Sequence, residues 1–176
     1  MIRSKIVSSL EKVFVTDSPN KFTTLEKISA LRGERLSFQL VVRDEPSESE
    51  EKYAFIIHNV KISGELSKYA TLRITKQVPV TKPVSTEFDE HYLVSTPTLI
   101  PDLLYPMSAG DVFYVSAAMT NSIWVDLEIP EDTKEIGESQ LTLTVTSEKT
   151  NEIVSECKLT VDIIDVMNGN YSTLEA

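Results

Sequence analysis

The sequence is short of several things, and each shortage closes off a class of protein. Its 176 residues hold one cysteine, Cys157, so neither an intrachain disulfide nor a thiolate metal cluster can form. Histidine occurs twice, at 58 and 91, and no HExxH pair is present. Glycine occurs five times, and no phosphate loop, GxGxxG turn or GxSxG elbow is found. No run approaches the ~18 apolar residues that cross a bilayer as a helix. The N-terminal MIRSKIVSSLEKVF lacks the continuous apolar core of a signal peptide. Basic charge is also scarce: 17 Lys and Arg face 27 Asp and Glu, a net charge of −10. That sign repels phosphate, and no basic stripe interleaved with aromatics offsets it. Nucleic acid and anionic membrane are therefore not expected as partners, and no cofactor or metal is expected. A signal trimmed from a precursor leaves no trace, so cytoplasmic and secreted locations both stay open.

What is present is a globular composition, 41% hydrophobic and 25% charged, in a length typical of one domain. A chain of this size buries roughly 70% of the surface it exposes when unfolded, enough for a core. The dominant hydrophobic period is two. RLSFQLVVR, 35–43, places Leu36, Phe38, Leu40 and Val42 on one face. YAFIIHNVKISG, 53–64, is apolar on both faces, as a central strand is. TLRITKQVPV, 71–80, puts Leu72, Ile74 and Val78 together until Pro79, which cannot donate to a ladder. Further strands are predicted over 111–120, 122–130, 140–146 and 153–165, the last two as a hairpin. Residues 6–14 read equally as helix or strand.

Seven or more short strands separated by turns predict an all-β fold, an antiparallel β-sandwich of immunoglobulin or jelly-roll type over residues 1–166. Residues 167–176 read as a linker or frayed end leading toward a downstream domain. Two segments break the pattern. DEPSESEEK, 44–52, reads as an acidic solvated loop; its carboxylates would suit calcium, but their spacing matches no known loop. Residues 81–111, with four prolines, read as a long ordered loop.

Candidate chemistry is sparse. His58 lies in an apolar strand and reads as a core residue. His91 neighbours Asp89 and Glu90, but adjacent residues of an extended chain point to opposite faces. Cys157 shares a face with Leu159 and Val161, which favours packing over nucleophilic chemistry. Asp126 and Glu128 share a strand face, which reads as solvated. Trp124 falls on that same polar face, where an uncovered indole is costly. It can stack on a sugar, dock a neighbouring domain or lie beneath the 81–111 segment.

Three stretches, RGERLSFQLVVR (32–43), HYLVSTPTLIPDLLYPM (91–107) and SIWVDLEIPEDTKEIGESQLTLTV (122–145), resemble the N-terminal domain of glycoside hydrolase family 123 and related proteins carrying a domain of unknown function. The matching positions are Ala30, Gly33, Glu34, Ser37, Phe38 and Gln39; then Pro101, Asp102, Leu104 and Pro106; then Trp124, Val125, Pro130, Asp132 and Gly137. Ile100 departs from the family's tyrosine, and a later glycine is replaced near Leu141. The resemblance implies an accessory β-sandwich in front of a (β/α)-barrel that holds the catalytic acids, so no catalytic residue is assigned here. It implies docking of this domain against the barrel, with Trp124, Tyr92, Tyr105, Pro101, Asp102 and Pro106 as candidates to face the other domain or a ligand. The alternative is an independent carbohydrate-binding module.

Overall fold

A computed structural model describes residues 1–45, 55–82, 94–108, 111–116 and 118–167. It contains ten strands and two short 3-10 turns among those residues, and no α-helix. The strands are β1 (Ile2–Ser8), β2 (Lys27–Arg32), β3 (Arg35–Asp44), β4 (Phe55–Ser63), β5 (Ala70–Val80), β6 (Thr98–Met107), β7 (Val112–Ser116), β8 (Thr120–Glu128), β9 (Gly137–Ser147) and β10 (Ile153–Met167). They form two five-stranded sheets, a front sheet β1-β3-β8-β5-β6 and a back sheet β2-β10-β9-β4-β7, packed as the expected β-sandwich.

Period-two alternation is what packs them. Leu36, Phe38, Leu40 and Val42 of β3 and Ile123, Val125 and Leu127 of β8 face inward from the front sheet. Leu141, Leu143 and Val145 of β9 and Leu159, Val161 and Ile163 of β10 answer them from the back. Most of these are fully buried, each contributing about 1.5–3 kcal/mol relative to exposure. The β9–β10 hairpin pairs Leu141 with Leu159 and Leu143 with Cys157, in the register the alternation predicts. Gly33 takes φ +77° between β2 and β3, where the chain crosses from the back sheet to the front.

Four features depart from the sequence reading. Within the predicted 81–111 loop, Thr98–Met107 is a strand, pairing antiparallel with β5. Prolines 101 and 106 are tolerated because β6 is an edge, where an N–H can be dispensed with. The ambiguous 6–14 stretch is not helical; β1 ends at Ser8. One pair, β2 with β10, is parallel in an otherwise antiparallel sandwich. Finally, residues 9–26 form a strap across the outer surface of the front sheet. Val13 and Phe22 of the strap cover Val7 and Val41, making a second small core. Polar side chains tie the strap down: Gln39 Nε2 donates to the carbonyls of Ser8 (3.1 Å) and Glu11 (2.9 Å), and Arg43 Nη1 to that of Asp17 (3.1 Å). The 46–52 part of the acidic loop, the Asp89–His91 group and residues 168–176 lie outside the described residues.

Candidate functional site

Trp124 lies in the middle of the front sheet, on its outer surface. Its cross-strand neighbours are Gln39 on β3 and Arg73 on β5. Two residues on, Asp126 occupies the same face with Ser37 and Thr71 as neighbours. The expected solvated Asp126–Glu128 pair does not exist. Glu128 is exposed, but Asp126 is only 3% accessible. A buried carboxylate survives only when its charge and lone pairs are met. Here Ser37 Oγ donates to Oδ1 at 2.6 Å and Trp124 Nε1 donates to the same oxygen at 3.0 Å. Arg35 Nη2 lies 3.0 Å from Oδ2, and Arg73 Nη1 ion-pairs with that oxygen too. Arg35 thus helps neutralise a buried charge brought close by sheet pairing.

The consequence for Trp124 is orientation. Its only polar hydrogen is committed to Asp126, so the ring is fixed on the sheet. Beside it lies a cleft of about 220 Å³. Ser9, Glu11, Lys12 and Val13 of the strap make one wall, and Pro101, Asp102 and Leu104 of β6 the other. Gln39, Thr75 and Trp124 complete it. Lys12 Nζ reaches across to the Pro101 carbonyl at 3.4 Å. Thr75 Oγ1 is buried without a hydrogen-bond partner among the described residues.

Of the residues singled out from sequence, Trp124, Pro101 and Asp102 thus converge on one cleft. Pro106 pairs with Arg73 in the same sheet. Tyr105, one position along, points to the opposite face and is 60% exposed. Tyr92 lies outside the described residues. Sequence reasoning missed Lys12, Gln39 and Thr75. Gln39 carried a signal, being a large polar side chain in the middle of an apolar strand. Lys12 and Thr75 carried none.

His58 and Cys157 are both packed side chains. His58 is buried against Phe113, its Nδ1 3.3 Å from the Ile56 carbonyl, and burial lowers its pKa. Cys157 sits 3.1 Å from Ser4 Oγ, and burial raises its thiol pKa, opposite to what a nucleophile needs. Among the described residues no group of three His, Cys, Asp or Glu side chains could hold a metal.

No protein-family model matches this chain, and no curated protein matches it. Solved structures do. A family 123 glycoside hydrolase from Clostridium perfringens, studied for glycolipid glycan hydrolysis, superposes with a TM-score of 0.68 at 12% identity. The match covers 94% of this chain and 28% of that one, so the chain spans under a third of the hydrolase's length. The N-terminal domain of PorA (TM-score 0.39, 10% identity, covering 92% of this chain and 97% of that one) is more distant. So is the major pilin SpaD from Corynebacterium diphtheriae (0.33, 10%, 92% and 33%). At such identity the first match shows a shared fold, and the other two scores are too low even for that.

Proposed function

We propose that this chain is a non-catalytic accessory β-sandwich domain of a larger glycoside-hydrolase-like protein, docking along β6 against a (β/α)-barrel that performs the chemistry. The fold shared with part of the clostridial hydrolase supports a place in a longer architecture. The observation that carries the docking is the character of β6. Leu99, Leu103 and Tyr105 are 42%, 54% and 60% exposed on this one edge strand. Apolar exposure on an edge normally invites strand addition. Here Pro101 pairs with Gln77 and Pro106 with Arg73, four residues apart on β5 because Asp102 is bulged out. Both prolines therefore occupy equivalent ladder positions and leave the free edge without those two N–H donors. A partner meets this edge through side chains rather than by extending the sheet.

Hydrogen exchange tests the reading. In a longer polypeptide containing this chain, the amides of residues 99, 100 and 102–105 should exchange more slowly than in the chain alone. The double variant Leu103→Glu/Tyr105→Glu should remove that difference. The chain alone should leave aryl N-acetylhexosaminides intact. Equal exchange in both contexts, or turnover by the chain alone, would overturn the assignment.

A further inference from the structure

We infer that the cleft between the strap and β6 is a binding subsite for a single pyranose ring of a neutral carbohydrate. Its volume of about 220 Å³ is below the ~300–1,000 Å³ of pockets that enclose drug-sized ligands, and suits one ring rather than an oligosaccharide. The lining is mixed in the way a sugar ring demands. Trp124 and Leu104, both half-buried, offer apolar surface to the C–H face of a ring. The carboxylates of Glu11 and Asp102 accept hydroxyl hydrogens, and the Lys12 ammonium donates to hydroxyl oxygens. Thr75 Oγ1 is buried and lacks a partner among the described residues, an omission native proteins rarely leave uncorrected. Oγ1 has no surface open to the cleft, so a ligand hydroxyl reaches it only where the wall yields.

Two further observations favour this occupant. Asp126 immobilises the indole through its N–H, so the apolar wall is set before anything binds. Two carboxylates against one ammonium make the lining net negative, which disfavours sulfated, phosphorylated or uronic sugars. The subsite shares Pro101, Asp102 and Leu104 of β6 with the docking strand, and separate variants address the two, Thr75 and Asp102 for the cleft, Leu103 and Tyr105 for docking.

Trp124 is the only tryptophan in the chain, so intrinsic fluorescence reads this site alone. Titration with N-acetylgalactosamine, N-acetylglucosamine, galactose and glucose should give a saturable emission change with at least one of them. A half-point of about 1–10 mM is expected for so few contacts. Mannitol, an acyclic polyol, should give none. Thr75→Val and Asp102→Asn should each weaken binding about tenfold with little change in melting temperature, and Tyr105→Glu should leave it unaltered. Amide shifts at residues 11–13, 39, 75 and 102–104, recorded by NMR in the same titration, guard against a silent fluorophore. Three results would overturn the inference: no saturable response in either measurement up to ~100 mM of every sugar, an equal response to mannitol, or undiminished binding in both cleft variants.

Discussion

Asp126→Ala tests the buried carboxylate directly. Asp126 is 3% exposed; Ser37 Oγ and Trp124 Nε1 donate hydrogen bonds to its Oδ1, and the Arg35 and Arg73 guanidiniums ion-pair with its Oδ2. Removing one partner of a buried ion pair costs about 3–5 kcal/mol, because the surviving charge is stranded. Two features reduce that figure here. The Arg73 side chain keeps 25% of its exposure and the Arg35 side chain 53%, so water takes over part of both contacts. The Arg35 pair is in the exposed class, worth at most about 1 kcal/mol. Against this, Ser37 and Trp124 each lose a charge-assisted bond. The expected cost is about 3 kcal/mol, or roughly 6–12 °C in melting temperature for a domain of this length. Urea unfolding followed by Trp124 emission measures it, and the freed indole should emit further to the red in the native baseline. Asp126→Leu/Arg73→Leu should be more stable than Asp126→Leu alone by about 1–2 kcal/mol, since the stranded guanidinium is gone. A cost under ~1 kcal/mol for Asp126→Ala, with an unchanged denaturant slope, would refute this account of the buried carboxylate.

Gly64→Ala should destabilise by more than ~2 kcal/mol on thermal melting: Gly64 has φ +117°, and a Cβ there would lie 2.3 Å from the Gln140 carbonyl oxygen. Glu135 accepts from Lys68 (2.5 Å), Thr133 (2.6 Å) and Tyr69 (3.1 Å), and the Lys68 ammonium leads in holding its pKa at about 2. A depressed carboxylate stabilises fully above its unfolded value near 4.5 and loses that contribution as pH falls toward 2. Glu135→Gln should therefore flatten stability against pH across that window, and an unchanged acid limb would contradict the clasp. Burial lowers the pKa of His58, so the unfolded chain takes up its proton first. Its imidazole should titrate below 6.5 by NMR, and stability tied to it should fall as pH drops through that range. Cys157, whose thiol is raised by burial, should react with a disulfide reagent at pH 8 more slowly in the folded chain than in urea; equal rates would contradict its packing.

Much of the architecture was legible because it is written locally. Alternation places Leu141, Leu143 and Val145 on one face wherever the strand ends up, and it made β3, β9 and β10 readable with their facing residues. The family resemblance marked Trp124, Pro101 and Asp102, which the fold does bring to one cleft. Other features have no local signature. The strap has no period, since irregular backbone is held by whatever surface it crosses, and Gln39 and Arg43 are what hold it. β6 was hidden by its prolines, which forbid a central strand but not an edge one, and being an edge is a property of the whole sheet.

Sequence by itself determined the class of fold, through side chains alternating every second residue, and its single cysteine excluded a thiolate cluster within the chain. Only the tertiary structure decided what happens at Asp126. Arg35, Arg73 and Asp126 are far apart along the chain and become neighbours because β3 and β5 flank β8. An acidic residue at the same point of an isolated strand would face water. Burial and charge compensation belong to the assembled sheet, because the groups that supply them arrive from other strands.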